Sequence, residues 1–86
     1  LTSGLSMELY PNPASEEVNL SCVAANSGTM TVRVFDLAGQ LVGNHVFEAT
    51  VGENKFNLSI PGLSSGIYFV ELSSGSEREV QKLIRN

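Results

Sequence analysis

Apolar side chains alternate with polar ones along most of this chain, and that alternation limits the fold more than any other feature of the sequence. The clearest runs are Val18-Leu20-Cys22-Ala24, Met30-Val32-Val34, Phe56-Leu58-Ile60 and Tyr68-Val70-Leu72. A period of two places apolar residues on one face of a β-strand, whereas a helix needs a period near 3.6. The pattern therefore predicts strands with one buried face, and no segment has the spacing typical of a helix.

Turn-forming residues separate these runs at intervals of roughly ten residues, as in small all-β domains. The sequence predicts strands near residues 7–10, 17–24, 29–36, 40–48, 54–60, 66–73 and 78–85. About seven short antiparallel strands in a chain of 86 residues predict an all-β, immunoglobulin-like two-sheet sandwich. An open barrel is the alternative architecture.

The same alternation predicts the residues of the core. They are Val18, Leu20, Cys22, Val32, Val34, Phe56, Leu58, Val70 and Leu72. Cys22 is the only cysteine, so it has no intramolecular disulfide partner. Its place on the apolar face predicts a buried packing residue, because a nucleophilic thiol needs an exposed, electropositive site.

The length of the chain fits a single small domain. Residues 1–6 are small and polar, which indicates the end of a linker, and residues 7–86 carry the strand pattern. Because the chain begins with Leu1 rather than Met, we expect it to be part of a longer protein with an upstream domain. We expect a proteolytic cut at or before Ser6, which would separate the upstream domain from residues 7–86.

Charge and composition argue against several functions. The formal net charge of −4 opposes binding to nucleic acids, which depends on basic residues. The single histidine, His45, has no cysteine or carboxylate at metal-ligand spacing, so we expect no metal ion and no cofactor. Ser64 lies in a G-x-S-x-G pattern, but a strand follows it where a nucleophile elbow needs a helix. The sequence thus predicts a protein that is not an enzyme and has no small-molecule substrate.

Three of the five basic residues, Arg78, Lys82 and Arg85, lie in the last nine positions. They could protect an edge strand against uncontrolled pairing. Alternatively, the end of the chain is an exposed peptide that a receptor binds by strand addition or by capture of the Asn86 carboxylate. The sequence alone leaves both interpretations open.

Two turns have recognisable chemistry. The Asp36 carboxylate is expected to accept backbone N–H groups in the turn that follows it, with Gly39 at positive φ. Gly66 and Tyr68 are typical of a tyrosine corner, in which the phenol hydroxyl donates to the preceding loop.

Four blocks of sequence resemble a known family when they are taken together and in order. They are Leu9-Tyr10-Pro11-Asn12-Pro13-Ala14-Ser15 followed by Val18-Asn19-Leu20, then Val34-Phe35-Asp36-Leu37-Ala38-Gly39-Gln40-Leu41-Val42, Leu63-Ser64-Ser65-Gly66-Ile67-Tyr68-Phe69-Val70 and Lys82-Leu83-Ile84. This combination resembles the type A C-terminal sorting domain of the type IX secretion system of Bacteroidetes. The resemblance covers residues 7–86.

The resemblance implies a folded signal that directs an attached cargo through an outer-membrane translocon, after which a surface sortase removes the domain and attaches the cargo to the cell surface. It implies passage through the periplasm, then location at the outer membrane, the cell surface or the extracellular space. The implied structural positions are Tyr10, Pro11, Asn12, Pro13, Asp36, Gly39, Gly66 and Tyr68. The implied sorting signal is Lys82, Leu83, Ile84, Arg85 and Asn86, of which the polar Asn86 departs from the family's alternating apolar end.

A function of another class also fits a small sandwich. The chain could be a non-catalytic module that binds carbohydrate or protein and stays attached to a secreted enzyme. Carbohydrate surfaces usually rely on exposed aromatic rings, and this chain has no Trp, two Tyr and four Phe. A homodimer through edge strands is a further expectation that the strand pattern allows.

Overall fold

The computed structural model describes residues 5–60 and 62–86, and this part of the chain forms seven strands and no helix. The strands are β1 (Ser6–Tyr10), β2 (Glu17–Ala24), β3 (Gly28–Asp36), β4 (Leu41–Ala49), β5 (Gly52–Ser59), β6 (Gly66–Ser74) and β7 (Glu77–Arg85). Every strand boundary lies within two residues of its predicted position. The described residues therefore also contain no helix long and apolar enough to cross a membrane.

The strands form two antiparallel sheets. One sheet has the order β1-β2-β5, and the other has the order β4-β3-β6-β7. The chain changes sheet between β2 and β3, between β4 and β5, and between β5 and β6, as in Greek-key sandwiches. The predicted immunoglobulin-like sandwich is confirmed, and the sheets keep separate edges instead of closing into a barrel.

The core lies between the inner faces of the two sheets. Eight of the nine predicted core residues are buried, namely Val18, Leu20, Cys22, Val32, Val34, Leu58, Val70 and Leu72. The ninth, Phe56, is partly buried and packs against this core from its edge. It lies on edge strand β5 and stacks on Phe47 of edge strand β4, with ring centroids 4.2 Å apart. The two rings close one side of the sandwich rather than filling its centre.

Cys22 is a packing residue, as the alternation predicted. Its thiol is buried, and its Sγ atom lies 3.8 Å from Sδ of Met30. Burial in apolar surroundings raises the pKa of the Cys22 thiol, because it disfavours the thiolate. The thiol therefore stays in its unreactive protonated form.

The folded part begins earlier than the sequence suggested. Leu5 is buried in the core, and Ser6 opens β1 opposite Val23, whereas the sequence placed the boundary at Met7. Residues 1–4 of the predicted linker lie outside the described residues. The polar composition of 1–6 concealed Leu5, which continues the alternation of Met7 and Leu9 by one more step.

The strands run between two ends of an elongated domain of 34 × 21 × 21 Å. Leu5 lies at one end, together with the β6–β7 turn at Ser74–Glu77. Arg85 lies at the opposite end, where it pairs with Gly66. We call these the Leu5 end and the motif end. The two ends of the described chain are therefore far apart.

Leu58→Ala should lower the free energy of unfolding by about 2 kcal/mol or more, because it removes a fully buried side chain from the centre of the core. Val46→Ala is the control, since Val46 is 64% exposed on β4 and should change the stability by less than about 0.5 kcal/mol. Urea unfolding of both variants measures the difference. Equal stability of the two variants would contradict the assigned core.

Candidate functional site

The four sequence blocks that are far apart in the chain meet at the motif end. Asp36 at the end of β3 pairs with Tyr68, and Gly66 at the start of β6 pairs with Arg85. Ala14, from the segment after β1, forms an isolated parallel bridge with Arg85. The fold thus brings all four blocks to one end of the larger sheet.

The Asn12 side chain binds the backbone of β7. Its Nδ2 atom donates to the carbonyl oxygen of Lys82 at 3.0 Å, and its Oδ1 atom accepts from the N–H of Ile84 at 2.9 Å. An asparagine amide carries a donor and an acceptor on one rigid group, so it can satisfy two alternate backbone groups of a strand edge. Both neighbouring bonds, Tyr10–Pro11 and Asn12–Pro13, are cis.

The Ala14 backbone extends this contact towards the end of the chain. Its N–H donates to the carbonyl of Ile84 at 2.7 Å, and its carbonyl accepts from the N–H of Asn86 at 2.8 Å. We call residues 12–14 the covering segment. It makes four hydrogen bonds to the outer edge of β7 between Lys82 and Asn86.

This contact corrects the expectation that the last strand offers free backbone groups for strand addition. β7 is an edge strand of the larger sheet, as expected. However, the outer edge from Lys82 to Asn86 is already hydrogen-bonded to the covering segment. Periodicity could not reveal this, because the covering segment contains two prolines and follows no alternation.

A side-chain contact also joins β7 to the opposite sheet. The Gln81 Nε2 atom donates to the carbonyl oxygen of Met7 on β1. β1 and β7 are the edge strands on the same side of the sandwich, so this bond closes that side. The end of the chain is therefore held by both sheets.

The three basic residues near the end of the chain differ in their surroundings. Arg78 pairs with Glu71 at 3.2 Å, and Glu71 also lies 3.6 Å from Arg33. Arg85 is half-buried and donates to the carbonyl oxygen of Asn86. Lys82 is exposed and forms no ion pair with the described part of the chain. Of the three, Lys82 is the one that is both exposed and without an ion pair to the described residues.

The Asp36 turn has the predicted chemistry. The Oδ1 atom of Asp36 accepts from the N–H groups of Ala38 at 3.0 Å and Gln40 at 2.9 Å. The N–H of Gly39 donates to the backbone carbonyl of Asp36, and Gly39 has φ of 87°, a conformation that favours glycine. The turn geometry follows directly from the two residues identified in the sequence.

The tyrosine corner is confirmed as well. The phenol hydroxyl of Tyr68 donates to the carbonyl oxygen of Ser64 at 2.6 Å, and the ring is buried. This bond fixes the loop before Gly66, which has φ of 152°. The corner places the start of β6 beside the end of β7.

The sequence argued against a metal site at His45 and a nucleophile at Ser64, and the structure gives the surroundings of both residues. Among residues 5–60 and 62–86, no three His, Cys, Asp or Glu side chains are grouped so that they could hold a metal ion. His45 lies on edge strand β4, as expected, and stacks on Phe47 at 6.2 Å between ring centroids. Ser64 is followed by β6, a strand, so it lacks the helix of a nucleophile elbow.

Asn12→Ala should speed hydrogen exchange of the Ile84 amide, because it removes the acceptor of that N–H. The Leu83 and Arg85 amides should change little, since alternate residues of β7 point their backbone groups towards β6. Asn57→Ala removes a comparable side-chain bond, to Asn19, from the other sheet and is the control. NMR measures the hydrogen-exchange rate of each amide. An unchanged rate at the Ile84 amide would contradict the contact between the covering segment and β7.

Comparison with known proteins agrees with the sequence blocks and the fold. Residues 8–86 match the protein family described as "Secretion system C-terminal sorting domain". Among solved structures, dimeric latent PorU from Porphyromonas gingivalis is similar at a TM-score of 0.71 and 15% identity, which shows a shared fold. That match covers 94% of this chain and 9% of the PorU chain. No curated protein matches. The chain belongs to the C-terminal sorting domains of the type IX secretion system, which act as the secretion signal of the proteins that carry them.

Proposed function

We propose that residues 82–86 are the part of this sorting domain that the secretion machinery recognises, and that the rest of the sandwich holds them in place. The observation that carries this proposal is the covering segment. Four hydrogen bonds hold these residues as an ordered strand, so they are presented as a fixed surface. The partners are the type IX translocon and, at the surface, a sortase.

The direction of the chain supports this role. Leu5 and the motif end lie at opposite ends of the domain. An upstream cargo joined through residues 1–4 therefore attaches away from residues 82–86. A translocon can bind the motif end without contact with the cargo, whatever the cargo is.

Recognition uses side chains rather than the free backbone. Because the covering segment occupies the edge of β7, strand addition there would first have to break its hydrogen bonds. The side chains of Lys82 and Ile84 point away from the core and stay available. Leu83 lies between them and is fully buried, so its role is to anchor the strand.

The route follows from the family. The cargo crosses the periplasm, passes the outer-membrane translocon and reaches the cell surface or the extracellular space. A surface sortase then cuts ahead of the domain and joins the cargo to an anionic lipopolysaccharide. The cut falls before Leu5, because Leu5 is buried and Ser6 is already part of β1, whereas proteolysis needs an exposed, extended chain.

The alternative, a retained module that binds carbohydrate, gains little support from the aromatic residues. Phe47 and Phe56 stack on each other, Tyr68 is buried, and Phe35 and Phe69 are only partly exposed on the outer face of the larger sheet. Tyr10, at 42% exposure, lies alone on its sheet face among the described aromatic residues. A homodimer through edge strands would have to use an edge other than the end of β7, such as that of β4.

A fusion of residues 1–86 to a neutral periplasmic protein should carry it to the surface of a bacterium that has the type IX system. Lys82→Ser with Ile84→Ser should lower export by about tenfold or more, the size expected when central contacts of an interface are lost. These two substitutions are preferable to deletion of residues 82–86, because deletion would also remove the buried Leu83. Surface and periplasmic fractions of the reporter measure the effect.

The matched control is Arg78→Ser with Val80→Ser, which changes one basic and one apolar residue on the same face of the same strand. It should leave export within about twofold of the unmodified fusion, after both double variants are shown to unfold cooperatively. Equal export of the two variants would show that residues 82–86 are not the recognised segment.

The mature cargo should lack this domain. We expect mass spectrometry of surface-attached cargo to find peptides from the upstream domain but none from residues 41–78. Recovery of those peptides in amounts equal to the rest of the cargo would instead favour a retained binding module. A catalytically inactive sortase strain serves as the control, since there the peptides should remain.

A further inference from the structure

The two outer faces of the sandwich differ in charge. Strand register shows which side chains share a face, since alternate residues of a strand point to opposite sides. The outer face of the larger sheet carries the basic residues Arg33, Arg78 and Lys82 and the acidic residues Glu48 and Glu71. The outer face of the smaller sheet carries Glu8, Glu17 and Glu53 and the single basic residue Lys55. An acidic protein thus has one outer face with a positive balance.

Apolar side chains lie on that same positive face near the motif end. Leu41 is opposite Phe35, Phe35 is opposite Phe69, and Phe69 is opposite Lys82, so a row of three apolar residues ends at a lysine. In the next row, Ile67 lies opposite Ile84. This arrangement does not serve the core, because these side chains are on the solvent side of the sheet.

A shallow hollow of about 300 Å³ opens beside these rows, between the Asp36 turn and the Tyr68 corner. Leu37 and Ile67 line it. Leu37 is 69% exposed in a turn whose two hydrogen bonds to Asp36 Oδ1 come from the backbone N–H groups of Ala38 and Gln40, so the Leu37 side chain takes no part in them. A polar residue would therefore serve the turn equally well.

We propose that this surface, which we call the motif face and define as Phe35, Leu37, Ile67, Phe69, Lys82 and Ile84, docks a protein of the secretion machinery. That protein presents an apolar side chain to the hollow and a carboxylate to Lys82. The inference rests on the proposed function. It extends the recognised region from the end of β7 to the Asp36 turn, more than forty residues earlier in the chain, and to the Tyr68 corner, about fifteen residues earlier.

Charge complementarity selects this occupant. A surface with apolar residues beside an unpaired lysine is matched by apolar residues beside a carboxylate, and such pairs set orientation and association rate. A symmetric dimer through the motif face would place two positively balanced faces against each other. The outer face of the smaller sheet of a second copy also carries carboxylates and the exposed apolar residues Tyr10 and Val23, so binding to a second copy is an outcome that the test must distinguish.

The test compares variants of the fusion of residues 1–86 to a periplasmic reporter. Leu37→Ser and Ile67→Ser should each lower export by about tenfold, because both remove apolar contact area from the motif face. Leu37→Ser is the decisive variant, since Leu37 lies in a turn outside the strands, whereas Ile67 lies opposite Ile84. The controls are Val51→Ser, in another turn, and Val23→Ser, on the other face. The exposed fractions are similar within each pair. Leu37 is 69% exposed and its control Val51 is 64% exposed, and Ile67 is 38% exposed and its control Val23 is 49% exposed.

The charge is tested in the same fusion. Lys82→Glu should lower export by about tenfold, whereas Lys55→Glu on the opposite face should stay within about twofold. A photo-crosslinking residue in place of Leu37 then identifies the peptide that lies in the hollow during export. Replacing an acidic residue of that peptide by lysine should restore export of the Lys82→Glu variant and lower export of the unmodified fusion.

The outcomes separate this inference from the proposed function. If the unmodified fusion stays in the periplasm, the proposed function fails. If the Leu37→Ser and Ile67→Ser variants are exported like the unmodified fusion while the Lys82→Ser, Ile84→Ser double variant is not, the motif face is not the docking surface, and residues 82–86 remain the candidate signal. Equal losses in the variants and their controls, or a crosslink to Glu8, Glu17 or Glu53 of a second copy, would also overturn the inference.

Discussion

The contact between the covering segment and β7 is the constraint on which the motif end depends. A strand at the edge of a sheet tends to fray, because one side of its backbone has no partner within the sheet. Asn12 and Ala14 supply that partner from the connection between β1 and β2. In a flexible signal peptide, residues 82–86 would fluctuate. Here they are held in an ordered strand at the edge of the sandwich.

This constraint changes what a partner can recognise. A flexible peptide loses conformational entropy when it binds, whereas a preformed strand has already lost that entropy during folding. The backbone hydrogen bonds that a peptide would offer are used within the domain, so specificity must come from the outward side chains. Lys82 and Ile84 alternate with the buried Leu83, which means that the same three residues serve both the core and the surface.

The sequence predicted the strands and the two turns well because both depend on local rules. Alternation specifies a strand face, and Asp36 with Gly39 or Gly66 with Tyr68 specify turns through bonds across a few residues. The missed features are contacts between parts of the fold that do not share a sheet. The bonds of Asn12 to β7 span about seventy residues, and the stacking of Phe56 on Phe47 joins two edge strands of different sheets. No local pattern encodes such contacts, although the block resemblance did mark Asn12 as a family position.

The unequal charge of the two outer faces gives a physical reason why a sorting signal would be part of a folded domain. A short peptide can carry a charge, but it shows every side chain to every partner. A sandwich divides the same residues between two faces, so Lys82 lies on a positively balanced surface in a protein whose net charge is −4. Since exposed charges contribute little to stability, this distribution is free to follow the needs of binding. An acidic partner would then meet the domain preferentially by the face that bears Lys82 and Ile84, with the attached cargo at the far end.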